Sequence, residues 1–395
     1  MIDIKTQYAG LTLRNPLIVG SSGLTNNAER NKEFEKAGAG AIVLKSLFEE
    51  QIEMQSDILM QDSDYPEAAD YIRGYVKANQ INDYLELIQK TKELCTIPVI
   101  ASINCYKSDA WIEFARQIEL AGADALELNV FFLETNLTYN SENMRDLYVS
   151  IIRKVKETVS IPVMIKMSKM VGNIPAVAHT LTVNGADGIV LFNRFYQPDI
   201  DINNMQIVSG NVFSNHSDLS DTLRWTAIVS GKIPGISIAS STGVHDWEDV
   251  IKCLLAGADA IQMCSAVYTH GAEIISQVLT CIEEWMHQAH YQSLDQFKGK
   301  LNYANISNPA MYERSQFMKY FSNRDQTNKT LSHPAKIISK GCMLSDNSMH
   351  PFIPQNTHSF YHQTKYFPLN IIYIGSIIYL CPHQQHIRIW NQFVQ

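Results

Sequence analysis

A repeated junction between helical and apolar segments constrains the fold of this chain more than any other feature. Four junctions consist of a Gly-Ala pair that follows a helical pattern and opens an apolar run; they begin at Gly38, Gly122, Gly185 and Gly257. Three more, placed between these, consist of an Ile-Pro pair that opens a similar run; they begin at Ile97, Ile161 and Ile233. Glycine readily adopts the left-handed conformation that ends a helix, and proline is tolerated at the first residue of a strand. Each junction therefore predicts a strand.

Together with a first apolar run, these junctions predict eight strands separated by helices. The strands are expected at residues 16–21, 41–45, 99–104, 125–129, 163–167, 188–193, 235–240 and 260–265. Helical patterns occupy residues 28–36, 111–120, 144–158, 174–183, 219–230, 247–255 and 272–287. Near-continuous apolar strands that alternate with helices indicate a parallel sheet covered by helices. Eight such units indicate a closed (β/α)₈ TIM barrel of the α/β class.

Two long insertions and a tail complete the predicted organisation. Residues 47–80, which are rich in acidic and aromatic side chains, and residues 194–218 follow the second and sixth strands. We therefore expect long loops there on the catalytic face, with a hairpin around Ser209-Gly210-Asn211 within residues 205–214. We assign residues 1–321 to the barrel and residues 322–395, which carry few charges and no regular period, to an irregular and poorly ordered C-terminal tail. His383 and His386 have a spacing found in metal sites, but no third ligand accompanies them, so no metal site is predicted.

The overall composition favours a small-molecule ligand. A content of 46% hydrophobic and 18% charged residues fits a folded globular protein, and the net charge of -8 gives no basic surface for nucleic acid or anionic lipid. The longest apolar run, residues 369–381, is too short to span a membrane. Seven cysteines without a CxxC pair, and a beginning without a secretory leader, favour free thiols in a cytoplasmic protein.

Polar residues gather where the predicted strands end. In a barrel these positions line one site, and here they are Ser21, Ser22, Gly23, Lys45, Ser46, Asn104, Cys105, Asn129, Lys166, Ser168, Asn193, Arg194, Ser240, Ser241, Thr242, Gly243, Cys264 and Ser265. A structural ion pair would explain any single lysine, but lysine rarely lies deep in a strand unless it is paired or functional. The ends of strands seven and eight commonly hold a phosphate. An anion cradle opposite lysine and asparagine side chains suits FMN.

Six segments of the chain resemble, in order and spacing, the soluble dihydroorotate dehydrogenase family. They are residues 15–23, 43–46, 127–129, 165–166, 191–193 and 241–244, the last followed by 256–262. The resemblance covers about residues 4–290. It implies an FMN-dependent oxidoreductase of pyrimidine biosynthesis that converts dihydroorotate to orotate, passing hydride to FMN and electrons to a soluble acceptor such as fumarate.

The same resemblance implies roles for individual residues. Ser21, Ser22 and Gly23 correspond to the loop over the isoalloxazine, with Lys45 and Ser46 beside it and Lys166 at the flavin N1/O2 edge. Asn104 and Asn129 correspond to ring or substrate contacts, and Asn193 to an orotate contact, followed by Arg194 where the family has Ser or Thr. Thr242, Gly243, Cys264 and Ser265 correspond to the phosphate cradle, although the family prefers Gly at the positions of Thr242 and Cys264.

One departure from the family concerns the catalytic base. Family members carry Asn-x-Ser-Cys-Pro-Asn, or Ser for Cys, and this Cys or Ser removes the C5 proton of the substrate. Phe132 stands at that position here, and a phenyl ring cannot accept a proton. Loss of a general base typically costs about two orders of magnitude in rate. Glu134, Cys105 and Tyr196 are candidate substitutes. Taken singly, each has a better ordinary explanation: Glu134 as a solvated loop acid, Cys105 as a small buried side chain and Tyr196 as a wall aromatic.

Three hypotheses therefore stay open. The chain is a dihydroorotate-type dehydrogenase, an FMN oxidoreductase acting on a different unsaturated substrate with Phe131 and Phe132 over the ring, or a flavin-binding barrel without turnover. The absence of a cysteine-rich iron–sulfur segment and of an amphipathic N-terminal helix favours a soluble electron acceptor. A homodimer is expected only by analogy with the fold.

Overall fold

The computed structural model describes residues 2–61, 69–104, 108–131, 135, 137, 141–195 and 197–313. The predicted tail lies outside the described residues, as do Cys105, Phe132, Glu134 and Tyr196.

Eight parallel strands close into a barrel. The strands within the described residues are β1 (Thr6–Tyr8), β2 (Leu11–Leu13), β3 (Leu17–Val19), β4 (Ala41–Val43), β5 (Leu47–Phe48), β6 (Val99–Asn104), β7 (Ala125–Asn129), β8 (Val163–Met167), β9 (Gly188–Leu191), β10 (Pro198–Asp201), β11 (Gln206–Ser209), β12 (Ile238–Ser241) and β13 (Ala260–Met263). Around the barrel the order is β3, β4, β6, β7, β8, β9, β12 and β13, and β13 pairs with β3 to close the ring. The predicted (β/α)₈ fold is confirmed.

Helices surround the barrel strands. They are α1 (Ala28–Lys36), α2 (Glu49–Gln61), α3 (Ala69–Leu94), α4 (Ser108–Leu120), α5 (Ser141–Lys156), α6 (Ile174–Val183), α7 (Leu219–Lys232), α8 (Trp247–Ala256), α9 (Ser265–His270) and α10 (Glu273–Gln288). The seventh barrel strand begins at Ile238, later than predicted, because Gly235 takes a φ of 81° and forms part of a turn. No helix of the described residues is long and apolar enough to cross a membrane.

Two predictions about the insertions are wrong. Residues 47–80 were expected to be a loop, but most of the described part is helical, in α2 and the first half of α3. Helix α3 continues past this segment and packs on the barrel through Ile81, Tyr84 and Ile88, which are buried at intervals of three and four residues. The hairpin expected within residues 205–214 is instead formed by β10 and β11, with Ile200 opposite Ile207.

The turn of this hairpin has a local cause. The Asp201 carboxylate accepts hydrogen bonds from the backbone N–H groups of Asn203 (2.9 Å) and Asn204 (3.2 Å). Such aspartate turns reverse the chain without glycine. The turn therefore forms at Asp201, and Gly210 lies beyond the hairpin.

The barrel interior changes from apolar to polar along its axis. Near the amino ends of the strands the interior is filled by a cluster that includes Ala125, Met164 and Ala260, and Tyr8 of the N-terminal hairpin closes this end. Side chains alternate between the two faces of a strand, so the next inward positions are Glu127, Lys166 and Gln262. The predicted site therefore lies at the carboxyl end of the barrel.

The thiols follow the prediction only in part. Cys95, Cys253 and Cys264 are free cysteines. The expectation of free thiols is wrong at Cys281, which is disulfide-bonded. Burial raises the pKa of Cys253 to about 12, so this thiol stays protonated and acts as a small core side chain.

Glu35 joins the end of α1 to the segment before β6. Its Oε1 accepts hydrogen bonds from the backbone N–H (2.8 Å) and hydroxyl (2.5 Å) of Thr96, and its Oε2 lies 2.5 Å from Lys32 Nζ. Burial alone would raise the pKa of this carboxyl group, but the hydrogen bonds from Lys32 and Thr96 outweigh it and lower the pKa to about 2. Because the folded-state pKa lies below the unfolded one, the stabilisation is complete above about pH 4.5 and is lost as the pH falls towards 2.

Replacing Glu35 by glutamine is expected to lower the free energy of unfolding by about 2 kcal/mol at pH 7. Urea unfolding at pH 7 and at pH 3 measures this, and the difference from the parent protein should shrink at the lower pH. The matched control is Glu33→Gln on the exposed face of the same helix, which should change little. Equal losses in the two variants would show that the contacts of Glu35 carry no special stabilisation.

Candidate active site

Lys166 is held in a buried polar network at the carboxyl end of β8. Its Nζ donates a hydrogen bond to Gln262 Oε1 (3.1 Å) and lies 3.5 Å from Glu127 Oε1. Gln262 Nε2 in turn donates to Glu127 Oε2 (2.5 Å). Glu127 is 0% and Lys166 7% exposed. Buried charges persist only when paired and hydrogen-bonded, so the network fixes the ammonium group in one place.

The roles of Glu127 and Gln262 were missed at the sequence level. Both belong to segments that resemble the family, but neither was singled out as functional. A usable signal existed, because both are polar residues at inward-facing positions of otherwise apolar strands, as Lys166 is.

Three asparagines lie at the same end of the barrel. Asn129 stands beside Lys166 in the paired strands β7 and β8, and its Oδ1 accepts a hydrogen bond from Asn193 Nδ2 (2.7 Å). Asn104 is 2% exposed, and its Oδ1 has no hydrogen-bond partner among the described residues. An orphaned buried carbonyl is costly. Asn104 therefore offers an acceptor to a ligand donor, which fits the predicted contact to a polar ring.

A chain of hydroxyl groups brings the ends of the first three barrel strands together. Ser46 donates its backbone N–H to Ser21 Oγ (3.0 Å), and the two hydroxyl oxygens lie 3.1 Å apart. Ser46 Oγ also lies 2.7 Å from Ser102 Oγ. Ser22 caps the short turn Gly23–Thr25 by accepting from the backbone N–H of Leu24. The predicted ring-side residues Ser21 and Ser46 are thus in direct contact.

The predicted phosphate cradle lies at the ends of β12 and β13. Gly243 has a φ of 86°, and a Cβ atom placed on it would lie 2.2 Å from the backbone nitrogen of Leu219. Thr242 has a φ of 83°, which is unusual for a β-branched residue, and its hydroxyl donates to the carbonyl of Phe192 (3.1 Å). Cys264 and Ser265 lie at the start of α9, and burial raises the pKa of Cys264.

Lys45 borders an open cavity of about 630 Å³ that is also lined by Ser46. Within the described part of the chain Lys45 forms no ion pair. Amide side chains of α2 and α3 also line this cavity, namely Gln51, Gln55, Asn79 and Gln80, together with the carboxyl group of Asp83. The cavity therefore offers a ligand amide groups and charged groups of both signs.

Arg194 is directed to the second insertion. Its Nη1 donates to the carbonyl oxygens of Asn211 (2.8 Å) and Val212, and its Nε lies 3.8 Å from Asp218. Its Nη2 is buried without a hydrogen-bond partner among the described residues. The guanidinium group therefore anchors the insertion, and its predicted contact to substrate stays a prediction.

A cluster of His216, Asp246 and Asp249 brings possible metal ligands within 4.8 Å of one another. The Asp249 carboxylate already contacts His216 Nδ1 (2.8 Å) and Lys252 Nζ (2.9 Å). Asp246 accepts from the backbone N–H of Asp249 and caps α8. Both carboxylates are thus engaged with protein donors, so the cluster is explained as a structural network.

The candidates for the catalytic base, Cys105, Glu134 and Tyr196, lie outside the described residues, so their roles stay predictions. Phe131 is described, and its ring packs against Phe195 at 4.4 Å between centroids.

Comparisons with known proteins agree with the resemblance seen in the sequence. A family model described as dihydroorotate dehydrogenase matches residues 72–286. The catalytic subunit of dihydroorotate dehydrogenase B (NAD(+)) from Thermoplasma volcanium is 28% identical, over 76% of this chain and 98% of the relative. A putative dihydroorotate dehydrogenase A (fumarate) from Aeropyrum pernix is 27% identical, over 75% and 97%. The NAD-dependent dihydropyrimidine dehydrogenase subunit PreA of Escherichia coli is 25% identical, over 76% and 77%.

Proposed function

Because the chain belongs to the dihydroorotate dehydrogenase family, we propose that it is a cytoplasmic FMN-dependent oxidoreductase that oxidises a dihydropyrimidine such as dihydroorotate. As a member of this family it acts on CH–CH bonds of small molecules. We propose a soluble electron acceptor such as fumarate; the relatives' names include both NAD(+) and fumarate. We assign the activity to residues 1–321 and expect a homodimer.

The buried position of Lys166 is the observation that carries the proposal. Its ammonium group is fixed by Glu127 and Gln262 beside Asn129, at the end of the barrel that also holds Thr242, Gly243 and Ser265. A fixed cation at one side of a site stabilises negative charge that develops there, and hydroxyl and backbone donors at the other side suit a phosphate. This donor set fits FMN, which would accept the hydride.

The remaining residues would bind and orient. Asn104 would accept a hydrogen bond through its orphaned Oδ1, and the Asn129–Asn193 pair would present amide groups to the substrate. Ser21 and Ser46, linked by their hydroxyl groups, would support the ring-side wall with Ser22 and Gly23. Lys45 would contribute a second cation.

A second candidate is an FMN oxidoreductase acting on a different unsaturated substrate. Phe132 removes the family's base, and Arg194, which stands where the family has Ser or Thr, is engaged with the second insertion. Both changes fall on groups assigned to the substrate, whereas Lys45 and Lys166 on the flavin side are retained. A flavin-binding barrel without turnover is the third candidate.

Anaerobic mixing of the FMN-loaded protein with dihydroorotate tests the proposal. We expect the flavin absorbance band to bleach, with dithionite as the control that the bound flavin can be reduced. A band that persists with dihydroorotate but bleaches with another reduced substrate supports the second candidate. A band that only dithionite removes supports the third, and a protein that does not take up FMN contradicts all three.

A further inference from the structure

Ser265 has a hydroxyl proton without an acceptor. Its Oγ accepts two hydrogen bonds from Ser214, one from the backbone N–H (3.0 Å) and one from the hydroxyl group (3.0 Å). A serine hydroxyl has two acceptor lone pairs and one donor proton. Both lone pairs are therefore occupied, no described residue accepts the remaining proton, and the half-buried side chain leaves this proton open to a ligand or to solvent. Towards any further partner, the Ser265 hydroxyl group can therefore act only as a donor.

The direction of the bond from Ser214 follows from a third residue. His245 Nε2 lies 3.0 Å from Ser214 Oγ. Since Ser214 gives its only hydroxyl proton to Ser265, it can only accept from the imidazole. His245 must therefore carry a proton on Nε2. Burial and the neighbouring His216 lower the pKa of His245, which agrees with a neutral ring that holds its single proton on this nitrogen.

The hydrogen bonds of these three residues all run in one direction, and we call the set the donor chain: His245 Nε2–H donates to Ser214, Ser214 O–H donates to Ser265, and the O–H of Ser265 is free to donate. A buried carboxylate outside the donor chain holds His245 in place. The backbone N–H of His245 donates to Asp249 (3.1 Å), and Asp249 is 1% exposed. The members come from the second insertion, the loop after β12 and the start of α9, so they meet only in the folded barrel.

We propose that His245 and Ser214 are positioning residues that hold the Ser265 hydroxyl as a donor to the phosphate group of FMN. The proposal rests on the proposed function for the identity of the ligand. An anionic oxygen is the acceptor that best satisfies a hydroxyl with no other acceptor, because charge-assisted hydrogen bonds are the stronger ones. The donor chain adds side-chain donation to a cradle in which Thr242 and Cys264 replace residues that the family prefers as glycine.

Binding of FMN and of riboflavin, measured by quenching of flavin fluorescence, tests the donor chain. Riboflavin lacks the phosphate, so it reports on the rest of the site. Ser214→Ala and His245→Leu should each raise the dissociation constant of FMN about tenfold, with that of riboflavin unchanged. His245→Gln, which can keep an N–H donor, should restore most of the affinity for FMN. The matched control is Ser217→Ala in the exposed turn nearby, which should leave both constants unchanged.

Two results would overturn the proposal. An unchanged FMN constant in both Ser214→Ala and His245→Leu shows that the donor chain does not reach the phosphate. An equal loss of FMN and riboflavin binding shows that the residues support the fold alone. If the parent protein binds neither flavin, the proposed function fails together with this inference, whereas FMN binding that ignores the donor chain rejects the inference only.

Discussion

Replacing Lys166 by methionine is expected to lower the free energy of unfolding by about 3 kcal/mol and to slow flavin reduction by about two orders of magnitude. The first effect arises because Glu127 is fully buried and Lys166 is its cationic partner at 3.5 Å. Removing one partner of a buried pair leaves an uncompensated charge, which costs more than the pair contributes. The second arises because the site loses the cation assigned to the reduced flavin. Urea unfolding and anaerobic reduction measure the two effects.

A double variant separates these two effects. In Lys166→Met/Glu127→Gln the buried negative charge is removed as well, and glutamine can still accept from Gln262. Most of the lost stability should return, whereas flavin reduction should stay slow. A double variant no more stable than the single one would show that the buried charge is not the cause of the loss. Restored reduction would contradict the assignment of Lys166 to the flavin.

Replacing Phe132 by serine is expected to accelerate flavin reduction by dihydroorotate about a hundredfold. The prediction is based on the sequence, since Phe132 lies outside the described residues. Serine or cysteine at this position serves as the base in the family that the chain resembles, and a positioned general base typically contributes two or more orders of magnitude. Stopped-flow measurement of flavin bleaching under anaerobic conditions gives the rate.

Phe132→Ala is the matched control, because it removes the ring without adding a proton acceptor. A similar gain in both variants would mean that the phenyl ring blocks the substrate. No gain from serine, combined with fast reduction in the parent protein, would mean that another residue such as Glu134 or Cys105 already serves as the base. A slow parent and a slow serine variant would favour a different substrate.

The two insertions show where sequence reasoning reached its limit. Residues 47–80 carry several acidic and aromatic residues, a mixture that predicts a loop. The helical spacing of Ile81, Tyr84 and Ile88 lies just beyond this segment, and it matters only because this face packs on the barrel. The hairpin was misplaced because Ser209-Gly210-Asn211 has the composition of a turn, whereas the hydrogen bonds of Asp201 decided where the chain reverses.

The residues of the candidate site likewise divide into those that the sequence predicts and those that only the structure identifies. Lys166, Asn129 and Asn193 were predicted because each ends or follows a strand, and strand ends meet at one face of a barrel. Glu127 and Gln262 were not singled out, and neither were Ser214 and His245. Their roles depend on which side chains face each other across the barrel or across two loops.

The sequence by itself determined the barrel and the end of it that carries the site. The Gly-Ala and Ile-Pro junctions act within a few residues, since they depend on backbone conformation and on a missing N–H group, and such local effects can be recognised along the chain. Tertiary structure alone decided the partners of each polar group. Lys166 and Gln262 are 96 positions apart, and Ser214 and Ser265 are 51. A hydrogen bond depends on distances of about 3 Å, which only closure of the barrel and folding of the second insertion set.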